Sequence, residues 1–386
     1  MRFRNGQGAT LSGRQADEDR ILIVGGGVAG SLLALVLARA GQAVSLVDIR
    51  SKVAAEFRAE KLNLGQLEQL RRLDLGAWFE ATCWGAARKP IRPLQDCGAR
   101  YDRWVEHARA LWPDSVEFVV GKADRIEASD GRQAVILSDG RRLEGRLVVL
   151  ATGRGERLRA DLGMSRRILS PKHSTTLGFS ILPRSGNAWE VAPRTAQGRF
   201  GDRLGYASVF PMMDEVRVNV FSYREPADPW IAALRKAPVE VLLEALPDLT
   251  PALDGTLVVR ELEAHCGDLY AIEGCERPGV VLVGDAFHAP CPASGTGMTR
   301  ILNDIERLTQ VHLPAWLATP GMGREKIAAF YADPVKREVD RASLLRSLNG
   351  RASAVDASPW WTLRRRVGAM RRRMGGGGAR PIVGAA

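Results

Sequence analysis

Cysteine is sparse and follows no pairing pattern. Cys83, Cys97, Cys266, Cys275 and Cys291 are odd in number and form no C-x-x-C pair. That excludes a disulfide framework and a thiolate zinc site, and the simplest expectation is a reducing, cytoplasmic setting. Cys291 reads as a small buried thiol. No apolar run reaches the roughly 18 residues of a membrane-spanning helix, so a soluble chain is expected. The first 19 residues hold Arg, Asp and Glu but no apolar signal core, and they read as a disordered leader. No internal repeat is visible.

Acidic residues are in deficit: 44 Asp and Glu stand against 55 Lys and Arg, a net charge of +11. Nine of those charges fall between Pro334 and Ala386, where twelve Lys or Arg meet three Asp or Glu. Trp360 and Trp361 precede the runs Arg364–Arg366 and Arg371–Arg373, and Gly375–Gly378 marks a flexible end. Three readings stay open for this segment: a solvated tail, a contact with an anionic membrane, or a contact with RNA. No nucleic-acid motif supports the last.

Two glycine-rich signatures, about 255 residues apart, carry the chemistry. In the first, Ile21–Val24 is a buried-strand pattern, and Gly25, Gly27 and Gly30 fit G-x-G-x-x-G. One glycine makes the turn, one lets backbone approach a pyrophosphate, and one lets helix and strand pack closely. The helix from Ser31 to Ala40 offers its N-terminus to phosphates. Asp48 ends the next strand, 23 residues after Gly25, where it would accept from a ribose diol. That acid suits FAD or NAD and not NADP. In the second signature, the strand from Gly279 ends in Gly284-Asp285, and a loop through Pro292 and Gly295–Gly297 opens a helix.

Between them the chain changes texture. Val116–Val120, Arg132–Leu137 and Arg141–Leu143 read as an antiparallel meander, and Leu147–Ala151 as another buried strand ending in Thr152-Gly153. Longer β segments follow at Ser174–Leu182, Tyr206–Met212 and Val216–Tyr223. Pro229–Leu246 is helical and Leu257–Glu263 is one more strand. Strand alternation puts Tyr206, Ser208 and Phe210 on one face.

These residues resemble the p-hydroxybenzoate hydroxylase-like (class A) FAD-dependent monooxygenases from about Arg20 to Tyr331. The resemblance implies an α/β fold: a Rossmann-like, GR2-type FAD-binding domain with an inserted β-sheet substrate domain and a C-terminal helical tail. Its bounds would be 1–19 leader, 20–170 with 278–332 for FAD, 171–277 for substrate, and 333–386 for the basic end. It implies FAD contacts at Gly25, Gly27, Ala29, Gly30, Asp48, Arg58, Arg103, Gly153, Asp285, Pro292, Gly295, Thr296, Gly297 and Met298. His173, Tyr206, Phe210 and Pro292 would lie nearest the flavin ring. The implied activity is insertion of one oxygen atom from O2 into a small aromatic or conjugated substrate through a C4a-(hydro)peroxyflavin, with electrons from NAD(P)H or a reductase partner.

The chain departs from the family at two points: Thr152 replaces the acid of Ala-Asp-Gly, and Thr299 stands near a frequent Asn. The halogenase signature Trp-x-Trp-x-Ile-Pro is absent. A reductase of the geranylgeranyl-reductase type and a non-catalytic, membrane-associated flavin-binding protein are the alternatives.

Overall fold

The protein is described by a computed structural model covering residues 19–84 and 93–374; the leader and the glycine-rich end lie outside the described residues. The chain begins with β1 (Ile21–Val24), α1 (Val28–Arg39), β2 (Val44–Asp48), β3 (Ala59–Lys61) and α2 (Leu64–Arg72). It continues with β4 (Gly98–Arg100), α3 (Tyr101–Ala110), β5 (Val116–Val120), β6 (Ala123–Glu127), β7 (Gln133–Leu137), β8 (Arg142–Gly145) and β9 (Leu147–Leu150). Then come β10 (Ser165–Pro183), β11 (Arg194–Gln197), β12 (Leu204–Pro211), β13 (Val216–Ser222), β14 (Thr256–Glu273), β15 (Val280–Leu282) and β16 (His288–Ala289). Three helices of the C-terminal part follow: α4 (Gly297–Arg307), α5 (Pro334–Val355) and α6 (Pro359–Met374).

A parallel sheet in the order β15-β9-β1-β2-β5 brings the two glycine signatures together. β1 is wholly buried because its alternate side chains enter two cores. Ile21 and Ile23 pack with the helices, whereas Leu22 and Val24 pack with Val135 and Leu137 of β7. The meander reading needs correction: Val116–Val120 is the edge of the parallel sheet, paired with β2 from Val44↔Val116 to Asp48↔Val120. Gly121 then donates to the Asp48 carbonyl at 2.9 Å and turns the chain, and β6, β7 and β8 make the meander.

An antiparallel sheet, β11-β12-β13-β10-β14-β16, forms the second layer. Strands β10 and β14 are 19 and 18 residues long, well beyond the apolar stretches that mark them in the sequence. The extension of β10 is largely polar, and that of β14 buries the consecutive residues Leu269 and Tyr270, so alternation does not reveal them. One face of this sheet is apolar (Leu177, Phe179, Ala207, Val209, Val216, Val218, Val220) and is covered by the helices Pro229–Lys236 and Pro238–Ala245. Pro238 divides in two the helix read there from the sequence. The other face carries Ser180, Ser208, Arg217 and Asn219, buried although polar, and Asn219 joins it to β3.

α5 is no loose tail. Asp333 caps it by accepting from the N–H groups of Val335 and Lys336, and Lys336, Ser343 and Ser347 are buried within the fold.

Candidate functional site

The first glycine turn is sterically specified. Gly25 has φ +108°, and a Cβ there would lie 2.6 Å from the Ala151 carbonyl oxygen. A Cβ on Gly30 would overlap the Gly25 carbonyl. At Gly27 the reverse holds, because the space before it is open. The Gly26 N–H donates to Asp48 Oδ2 at 2.6 Å, and Arg50 N–H to Asp48 Oδ1 at 2.9 Å. Arg109 donates to the Gly26 carbonyl at 2.8 Å and lies over the Phe118 ring at 4.7 Å. This arginine carries no motif, and the sequence gives no signal for it.

The second turn is held from behind. Gly284 has φ +59°, and its N–H donates to Asp304 Oδ2 at 2.8 Å. Arg159 donates to the Ala286 carbonyl at 2.6 Å, and the Tyr270 hydroxyl to the Asp285 carbonyl at 2.8 Å. Asp285 itself is half-buried, within electrostatic reach of Arg58 and Glu60. Beneath lies a buried charge cluster. Lys336 contacts Asp304 at 2.6 Å and Asp340 at 3.2 Å, Arg300 contacts Asp340 at 2.8 Å, and Arg300 also donates to the His288 carbonyl. Burial, then Arg300, push His288 down to about 3, so it is neutral and the two cations balance the two carboxylates. Lys336 and Asp340 have no sequence signal, since their partners lie over 30 residues away or on the next helical turn.

The Pro292–Gly297 loop is laced to its surroundings by hydroxyls. Ser294, Thr296 and Ser343 form a chain with 2.6 Å steps, and Cys291 N–H donates to Ser347 Oγ at 3.1 Å. Gln66 of α2, in a capping box with Asn63, donates to the Gly295 carbonyl at 3.0 Å and to Thr299 Oγ1 at 3.1 Å. A Cβ at Gly153, Gly295 or Gly297 would meet nothing within 4 Å. The N-terminus of α4, with its unpaired N–H groups, therefore faces free space.

The extended segment from Phe57 into β3 presents the remaining groups by simple alternation. Phe57 lies under Arg217 at 5.8 Å and the Ala59 carbonyl accepts from Asn219 at 2.7 Å, so these two residues are fixed to the antiparallel sheet. Arg58 and Glu60 point the other way, into the electrostatic reach of Tyr101 and Asp285. Burial raises the Glu60 carboxyl and Asp285 adds to the rise, partly offset by a hydrogen bond from Tyr101 and the charge of Arg58. Tyr101 is likewise raised, by burial and then by Glu60. Burial opposes the charge of Arg58, but Glu56 at 2.9 Å, Tyr101 and Asp285 outweigh it. The Tyr206 hydroxyl donates to the Ala293 carbonyl at 3.1 Å, which joins the loop to the sheet, and its acidity is suppressed by burial and then by Glu60. Glu60 and Tyr101 were legible in principle: the same alternation that singles out Arg58 puts Glu60 on its face.

Several residues fall elsewhere than the sequence suggests. Arg103 points to solvent, 3.8 Å from Glu106 and 4.0 Å from Asp214, because the helical phase of α3 turns Tyr101, Trp104 and Val105 inward instead. His173 is buried against α5, its Nε2 at 3.2 Å from the Ser347 carbonyl, one residue layer behind Cys291. Phe210 is core, packed with Ala59 and Met212. The Met298 side chain is buried in the helical core and Thr296 is tied to Ser343. Ala29 borders the Gly284 turn at the foot of α1.

The cradle fits a dinucleotide. Two glycine turns whose Cβ positions are open or forbidden follow strands of one parallel sheet, with a strand-end acid at the first and a second carboxylate beside an arginine at the other.

The FAD binding domain family matches residues 18–92. A menaquinone reductase of Mycolicibacterium smegmatis is 26% identical over 307 residues, 72% of each chain. Among solved structures, p-nitrophenol 4-monooxygenase from Pseudomonas putida superposes with a TM-score of 0.69 at 20% identity, over 93% of this chain and 94% of that one. The flavin-dependent halogenase CmlS gives 0.68 at 16% identity, over 93% of this chain and 70% of the other. The chain carries an FAD binding domain over residues 18–92 and shares the fold of these flavin-dependent monooxygenase and halogenase structures.

Proposed function

We propose that this protein is an FAD-dependent monooxygenase that inserts one oxygen atom from O2 into a small aromatic or conjugated substrate. The observation that carries the reading is the group Glu60, Tyr101 and Tyr206, enclosed between β3, β12 and the Pro292–Gly297 loop yet keeping accessible surface. Gly25, Gly27 and Asp48 would hold the adenosine diphosphate half of FAD. Arg58, Asp285 and the Pro292–Gly297 loop would hold the flavin half, with the α4 N-terminus at the ring's electron-rich end. Bound FAD supplies electron transfer and activation of O2.

The chain's own residues do the rest. Glu60, once ionised, takes the proton of a substrate hydroxyl and leaves an electron-rich ring. Tyr101 donates to the Glu60 carboxylate and orients it. Tyr206 fixes the loop backbone to the sheet and helps exclude water. Incubation with candidate phenols, a reductant and O2 should yield products heavier by about 16 Da. A second reading, a quinone or alkene reductase, is favoured by Thr152 and by the menaquinone reductase relative. There the same Glu60–Tyr101 pair would deliver a proton, and products would gain about 2 Da without O2.

Reduction by NAD(P)H alone is expected to be slow, with bound substrate or a reductase partner needed to speed it. Thr152 lacks the family carboxylate, and Arg159, the buried cation of that segment, is committed to the Gly153 and Ala286 carbonyls. A missing charged hydrogen bond of about 1.5–3 kcal/mol weakens such an encounter roughly tenfold to a hundredfold. Stopped-flow bleaching of the flavin checks this. Rapid bleaching by NADPH without substrate sinks it, and faster bleaching in Thr152→Asp supports it.

A further inference from the structure

We infer that α6 docks the protein onto an anionic bilayer surface, lying in the interface and not crossing it. The helix exposes a stripe of Trp360, Leu363, Val367 and Met370, with 63%, 55%, 43% and 60% of their surfaces open to solvent. Their spacing of three, four and three residues puts them on one side of a helix with 3.6 residues per turn. Arg364 and Arg366 are exposed and flank the stripe, one on each side.

The opposite side is tied to the body. Arg365 donates to the Asp356 carbonyl at 2.7 Å and lies 3.7 Å from the centre of the Phe200 ring. At about 100° per residue, Arg365 stands roughly opposite the stripe centre. The stripe is therefore held facing outward and cannot fold back onto the protein.

The occupant follows from charge and shape together. The helix sequence holds six arginines and no acid, at the end of a chain of net charge +11. A second copy of so basic a chain would be repelled. A nucleic acid would satisfy the arginines but leave the apolar stripe in water. An anionic lipid surface satisfies both, with apolar side chains below the headgroups and arginines among the phosphates. Arg364 lies 4.9 Å from the Trp361 ring centre and 5.8 Å from that of Trp360, the pairing of cation and amphipathic aromatic suited to that boundary. No helix among the described residues is long and apolar enough to cross a membrane.

The test is co-sedimentation of the full chain with phosphatidylcholine vesicles, with and without phosphatidylglycerol. The protein should pellet only with the anionic vesicles and be released by salt. Arg364→Ser with Arg366→Ser should weaken binding about fivefold for each arginine removed. Leu363→Ser with Met370→Ser should abolish binding while thermal stability and flavin content stay at the parent's values, since both side chains are exposed. No pelleting by stably folded parent overturns the inference. So does binding unaffected by Leu363→Ser with Met370→Ser, or a shift of the same variants from dimer to monomer without any lipid effect.

Discussion

Lys336→Met is expected to cost about 3–5 kcal/mol of folding stability, the largest effect of any single change considered. Methionine keeps most of the volume and the contact with the Phe287 and Phe330 rings, which lie 4.4 and 5.0 Å from the Lys336 ammonium. What it removes is the cation facing Asp304, a carboxylate only 1% exposed. Burial already raises the Asp304 pKa, and Lys336 is the main influence opposing that rise. Without it the carboxyl takes up a proton more readily in the folded protein than in the unfolded one. The sign of the pH dependence follows. The variant's stability should be greatest below the ordinary carboxyl pKa and fall as pH rises through the raised folded value. Gly284 loses a charged acceptor at the same time, so flavin retention should drop as well. Asp304→Leu added to Lys336→Met should recover part of the stability, because no lone buried charge then remains. Urea midpoints across pH decide the matter, and a single variant within about 1 kcal/mol of the parent would refute this account.

The parts of this site that were legible in the sequence are those that local chemistry dictates. Gly30 and Asp48 are fixed by close approach within one βαβ unit, Gly25 by its positive φ in the turn that opens the unit, and Gly284-Asp285 by a strand running into a turn. The parts that were not legible depend on contacts between distant segments. Arg109 reaches the Gly26 carbonyl across 83 residues, and Lys336 reaches Asp304 across 32. The strand extensions Ser165–His173 and Cys266–Glu273 alternate poorly because they pair with each other, the first being largely polar and the second burying the consecutive residues Leu269 and Tyr270. Arg103 illustrates a subtler failure. Its place in the sequence fits a cofactor contact, but the buried set Trp104, Val105 and Ala108 sets the helix phase and sends it to solvent. The charge of the C-terminal segment was legible, but its division was not. Ser343 and Ser347 let α5 pack tightly on the flavin-type loop, whereas the stripe on α6 is left outside.

Glu60→Gln is expected to lower kcat by about 10²–10⁴-fold while leaving FAD bound, because it removes a base and not a cofactor contact. Glutamine keeps the shape and can still accept from Tyr101. The parent's rate should rise with pH as the Glu60 carboxyl ionises, at a value above that of an ordinary glutamate, since burial and Asp285 raise it. In the variant that limb should vanish. Stability should move the other way. A carboxyl whose folded pKa lies above its unfolded one is a burden once ionised, so its contribution is lost as pH rises through the folded value. Removing it should make the variant slightly more stable than the parent at neutral pH and no more stable in acid. That opposite movement separates a base in a cleft from a residue that merely packs. A structural Glu60 would lose stability on substitution and leave the pH profile of the residual activity unchanged. Thermal melts at two pH values, beside the pH dependence of kcat, test both halves. A variant that is less stable at neutral pH, with the parent's pH limb intact, would remove Glu60 from the chemistry.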